Sequence, residues 1–119
     1  MRKILLVSAV AFSIAAGSAS ANSGKGYGGY NCGQLVDDYS AASSYDQSSM
    51  RRRLADWVFG YYTGMNRHQQ RGQQRDLEAL TSDNLASTLI YRCRSRRSTR
   101  VGLVAYDYYF ELPYWRVGV

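Results

Sequence analysis

The sequence predicts an all-α domain of about four helices with one disulfide. Three observations carry this. From Cys32 to Leu112 the apolar residues recur at three- and four-residue spacings, with no convincing strand alternation. Two cysteines, Cys32 and Cys93, follow an N-terminal stretch that reads as an export signal, and exported chains meet an oxidising compartment. Of 119 residues, 98 remain after that stretch, which is one small domain in need of a staple.

The export signal is residues 1–21, "MRKILLVSAVAFSIAAGSASA". Arg2 and Lys3 precede an apolar run from Ile4 to Ala16, and Ala19-Ser20-Ala21 is an A-x-A cleavage site. The run is short for a bilayer span. The mature chain is expected to start at Asn22 and to reside in the periplasm. In that setting an even cysteine count reads as one disulfide, with two free thiols or an intermolecular bridge as the alternatives. Closing a loop of this length is worth roughly 4 kcal/mol in the loop-entropy estimate.

Residues 22–31, "NSGKGYGGYN", are glycine-rich without periodicity and read as a flexible lead-in. Its GKG lacks the spacing of a phosphate-binding loop. The helical domain then occupies 32–112. Cys32, Leu35, Val36 and Tyr39 mark one face of a first helix. The polar stretch 40–49 offers Asp46 and Ser48 as caps for a second. Met50, Leu54, Trp57, Val58, Tyr61 and Met65 keep helical spacing over four turns. A polar loop containing Gly72 ends it, and Asp76, Leu77 and Leu80 add a turn. Ser82 is placed to cap a third helix with the stripe Leu85, Leu89 and Cys93. The cations of "RSRRSTR" (94–100) suit its C-terminus. Ser98 or Thr99 is placed to cap a fourth helix, with Val101, Val104, Ala105, Tyr108 and Leu112 inward and Pro113 as the stop. Residues 113–119 form a tail.

"WVFGYYTGMN" (57–66) sets Gly60 and Gly64 four apart inside the second helix, where each costs about 1 kcal/mol relative to alanine. Arginines at 51–53 and 67 leave too short an apolar run for a membrane span. The glycines read as a rail for close backbone approach, inside the protomer or between two, with a hinge as the third option. The wheel sets Phe59 roughly opposite Tyr61, away from the core. Beside Tyr62 it reads as a partner or client contact, against the alternative of a lone exposed aromatic.

Catalytic chemistry is not legible. His68, the only histidine, sits in a polar loop; a structural zinc site usually takes four Cys or His ligands, and the cysteines serve each other. Asp37 and Asp38 are adjacent and point apart, and no nucleophile has an evident base. No enzyme activity, cofactor or metal is expected. Without Arg2 and Lys3 the net charge is +4, and twelve of the thirteen remaining basic residues are arginine. That excess reads as a solvated face, or as an attraction to acidic partners or anionic headgroups. Export argues against nucleic acid.

"YNCGQLVDDY", "WVFGYYTGMN" and "LIYRCRSRRSTRVGLVAYDY", covering most of residues 30–112, together resemble the HdeA/HdeB-like family of small periplasmic proteins. Cys32 and Cys93 take the positions of that family's disulfide. The resemblance implies a helical, non-enzymatic, ATP-independent acid-stress chaperone that loosens at low pH and holds unfolding clients. A weaker resemblance is to type VI secretion amidase-immunity proteins. The alternative reading is a specific inhibitor of a toxin or cell-wall enzyme, for which a fixed surface around Phe59 and the arginines is the expected contact. The partners expected are unfolded or specific periplasmic proteins, with a homodimer as a further arrangement and membrane contact only through the cleaved signal peptide.

Overall fold

The computed structural model describes residues 26–116. The stretch 1–21 expected to be a signal peptide, residues 22–25 of the lead-in and residues 117–119 of the tail lie outside them. Four helices follow a single 3₁₀ turn at Gly26–Gly29: α1 (Cys32–Ala41), α2 (Ser44–Arg67), α3 (Ser82–Cys93) and α4 (Val101–Tyr109). Among the described residues there is no strand, only the isolated bridges Asn31–Arg100 and Arg75–Tyr114. Helix α3 packs against the other three. Its Leu85, Ala86, Leu89 and Ile90 meet Leu35 and Val36 of α1, Leu54, Ala55 and Val58 of α2, and Val101, Val104 and Ala105 of α4 in one core.

The Cys32–Cys93 disulfide is formed, with Cα atoms 4.8 Å apart, and joins the start of α1 to the end of α3. Backbone bonds reinforce the same corner. Neither Asn31 nor Arg100 caps its helix with a side chain. Instead Cys32 N donates to Thr99 O at 2.7 Å, Gly33 N to Arg97 O at 2.9 Å and Val101 N to Tyr30 O at 2.8 Å. Two helix starts thereby satisfy their orphan N–H groups across one bridge. This corrects the expected capping of α4 by Ser98 or Thr99.

Two other starts shift. Ser43, not Asp46 or Ser48, caps α2: its Oγ accepts from Asp46 N at 3.2 Å, and Asp46 falls in the first turn, where the helix dipole favours an acid. Thr81, one residue before Ser82, caps α3 by accepting from Asn84 N at 3.1 Å.

The core face of α2 is rotated from the expected stripe. Tyr62 is fully buried while Tyr61 is half-buried, and on α4 Tyr109 rather than Tyr108 is buried. The reason is chemical. A tyrosine can be buried when its hydroxyl finds an acceptor, and Tyr62 donates to Ala105 O at 2.6 Å while Tyr109 donates to Asn66 Oδ1.

Residues 26–31 are also not a loose leader. The 3₁₀ turn wedges between α2 and α4, and its glycines are what the space allows. A Cβ on Gly28 would lie 2.6 Å from Cζ2 of Trp57, and one on Gly102 would lie 3.1 Å from Gly28 O. Tyr27 and Tyr30 pack edge-on at 5.3 Å beside it.

Candidate contact surface

Six aromatic rings connect α2 to α4 without a break. Trp57 meets Tyr61 at 5.3 Å, Tyr61 meets Tyr62 at 6.1 Å, and Tyr62 meets Tyr109 at 5.3 Å. Tyr109 then meets Phe110 at 5.1 Å and Phe110 meets Tyr106 at 5.0 Å, both edge-on. The ladder starts half-buried under the 3₁₀ turn, crosses the core, and emerges on the outer side of α4. There Leu103, Tyr106 and Phe110 follow one another at i, i+3 and i+7 and form a ridge, 55%, 44% and 42% exposed.

Burial raises the Tyr62 hydroxyl far above the ordinary tyrosine range, helped by Tyr108 and Tyr61 nearby. Burial also raises Tyr61, with Tyr106 close enough to add to the effect. Tyr109 moves up for the same reason, opposed by the charge of Arg75. All three hydroxyls therefore stay neutral at ordinary pH, and those of Tyr62 and Tyr109 donate to Ala105 O and Asn66 Oδ1.

Arg75 fixes the end of the ridge. Its Nη1 donates to Phe110 O and Leu112 O, both at 2.8 Å, which satisfies carbonyls that the end of α4 leaves free. The guanidinium lies 5.4 Å from the Phe110 ring centre and 4.2 Å from that of Tyr114. Its backbone is held in turn, since Arg75 N donates to Asn66 Oδ1 at 2.9 Å and Asn66 Nδ2 to Arg75 O at 3.0 Å. Asp76 N to Pro113 O and Trp115 N to Gln74 O, at 2.8 and 2.7 Å, pin the tail to the same loop. Nothing in the sequence marked this clamp, since Arg75 is one of three arginines in the polar stretch 66–75.

The residues expected to make contacts separate into two groups. Trp57 and Tyr61 border the ridge. Tyr62 is sealed in the core, and Phe59, although on the far side of α2 from Tyr61, is half-buried against the core. The surface assigned to Phe59 and Tyr62 is therefore not there. Among the described residues, no atom of another segment lies within 4 Å of where a Cβ of Gly60 or Gly64 would stand, so no other described backbone packs on them. An internal rail is thereby corrected: its close approaches occur at Gly28, Gly33 and Gly102 instead. Gly60 and Gly64 form an open strip beside Trp57 and Tyr61.

Among the described residues, four ion pairs tie segments together. Arg97 to Asp37 (2.8 Å) holds α1 to the loop after α3, and Arg51 to Asp83 (3.4 Å) holds α2 to the start of α3. Arg96 to Asp107 (2.9 Å) holds the same loop to α4. Arg92 grips Glu111 with two bonds of 2.5 and 2.7 Å while lying 4.7 Å from the Tyr108 ring centre. That bidentate bond holds the Glu111 carboxyl below its ordinary range. All eight side chains lie at or near the surface.

Polar hollows are shallow. One of about 570 Å³ at the start of α3 is lined by Ser48, Arg52, Thr81, Ser82, Asp83 and Asn84. Its carboxylate, Asp83, is engaged by Arg51. His68 is exposed at the end of α2. No protein-family model, curated protein or solved structure matches this chain.

Proposed function

We propose that the chain is an exported, non-enzymatic holdase of the acid-stress kind, which loosens at low pH and shields unfolding polypeptides. The observation that carries this reading is the distribution of the ion pairs. Each joins two different segments of the chain, and each depends on a carboxylate at the surface. A surface pair contributes little singly, but all four lose their carboxylate charge once the pH is low enough, the Arg92–Glu111 pair holding out below the ordinary range.

Acid also changes the charge of the whole domain. Protonating the nine carboxylates and His68 takes the side-chain charge of residues 22–119 from +4 to +14. Repulsion among arginines then works against a domain whose stability is expected near the low end of 5–15 kcal/mol, roughly. The disulfide does not titrate, so α1 and α3 stay joined as the bundle loosens. The surfaces released are the apolar faces around Leu54, Val58, Leu85 and Leu89, next to the aromatic ridge already outside. High positive charge keeps such a complex soluble.

A titration from pH 7 to pH 2 with an apolar-surface dye tests the opening step. Dye binding is expected to rise below about pH 4, where carboxylates protonate, and to reverse on neutralisation. A domain that stays closed to the dye at pH 2 contradicts the proposal.

A further inference from the structure

One face of the folded molecule is apolar in the middle and cationic at its edges. The ridge of Leu103, Tyr106 and Phe110 forms its crest, and Trp57 and Tyr61 of α2 continue it. Helical periodicity sets Arg53 and Arg67 on the same strip of α2 as Gly60 and Gly64, one at each end. Arg100 stands at the start of α4. All three arginines are exposed, and none has an ion-pair partner among the described residues. The acids of α4 and its end, Asp107 and Glu111, are occupied by Arg96 and Arg92. Two acids of α2, Asp46 in its first turn and Asp56, have no such partner among the described residues, so three arginines and two acids border this side.

We infer that this face seats on an anionic lipid surface. Charge complementarity selects the partner, because unpaired guanidinium groups match phosphate oxygens in a bidentate way that lysine does not. The side chains between them suit the bilayer boundary: Tyr and Trp settle at headgroup level, and Leu and Phe reach the acyl edge. The open strip at Gly60 and Gly64 lets headgroups lie close to the α2 backbone. No helix among the described residues is long and apolar enough to cross a membrane, so the contact is peripheral. This departs from the expectation that membrane contact ends with the cleaved signal peptide, and it is independent of acid opening.

Co-sedimentation at pH 7 tests it, using the processed chain with two kinds of vesicle. One is phosphatidylcholine alone and the other a two-to-one mixture of phosphatidylcholine and phosphatidylglycerol. Binding is expected to the mixed vesicles only and to weaken as salt is added. Arg53→Gln and Arg100→Gln should each weaken it about fivefold. Leu103→Ser with Tyr106→Ser should weaken it about tenfold by removing inserted apolar surface. Both positions are exposed, and unchanged thermal melting confirms that the fold is kept. Equal binding to both vesicles, or none, overturns the inference. So does mixed-vesicle binding that the ridge substitutions leave unchanged, since the attraction is then diffuse charge. A concentration-dependent dimer that the same substitutions abolish, with no vesicle binding, assigns the face to a second copy instead.

Discussion

The hydroxyl of Tyr62, in the long helix α2, donates to the carbonyl oxygen of Ala105 in α4 at 2.6 Å. The two helices are held apart by aromatic rings, and this bond is one of the polar ties between them. Tyr62→Phe removes the donor but keeps the ring, and the expected loss is about 1 kcal/mol in urea unfolding. The tyrosine also sets an alkaline limit. Its folded pKa is raised above the ordinary 10.0, so its contribution is intact below pH 10 and is lost as pH rises further. Stability is expected to fall above pH 10 in the parent and to fall less steeply in the variant. A parallel decline in both contradicts this role.

Glycines at two kinds of position should respond with opposite signs. Gly64→Ala adds a methyl group where nothing lies within 4 Å, and the gain in helix propensity is up to about 1 kcal/mol. Gly28→Ala drives a methyl group into the Trp57 ring and is expected to destabilise by about 1–3 kcal/mol. Thermal melts of the two variants read the difference directly, and equal shifts contradict the packing described.

Arg75 should not be replaceable by lysine. Its planar fork serves two carbonyls while lying against Phe110 and Tyr114, a geometry that an ammonium cannot reproduce. Arg75→Lys is expected to cost about 1–3 kcal/mol and to speed amide exchange at Trp115, whose N–H is pinned to the same loop. Exchange at Trp115 that does not change in the variant would contradict the clamp.

Much of this fold is legible in the residues. The stripe Leu85, Leu89 and Cys93 has one reading, and the structure buries all three. The cysteine pairing is expected from the even count and the export reading of residues 1–21, and the disulfide is formed. What periodicity cannot give is the rotation of a helix whose neighbours on the wheel are both tyrosines. Tyr61 and Tyr62, or Tyr108 and Tyr109, differ only in which hydroxyl reaches an acceptor on another helix. The 3₁₀ turn was hidden for a related reason. Glycine-rich sequence reads as slack, whereas here its lack of side chains admits Trp57 and a second backbone. The ridge did carry a signal, since Leu103, Tyr106 and Phe110 repeat at helical spacing on the side of α4 away from Val101 and Ala105.

The Arg92–Glu111 pair gives the acid response a handle. Glu111 is depressed below its ordinary 4.5 by Arg92, so what it contributes is present above pH 4.5 and is lost as pH falls through its folded value. Glu111→Gln is expected to lower stability at pH 7 and to flatten the fall in stability between pH 4.5 and pH 2. A variant that unfolds in acid along the parent's curve removes this pair from the account.

Client protection in acid is the most direct test of the central claim. The aggregation of an acid-labile test protein is followed by light scattering at pH 2 and at pH 7, with the oxidised chain and with Cys93→Ser. The variant itself is expected to be destabilised by about 2–5 kcal/mol. The oxidised chain should suppress aggregation at pH 2 and leave it unchanged at pH 7, and the variant should suppress it poorly. Undiminished aggregation at pH 2 in the presence of the oxidised chain would contradict the proposed function.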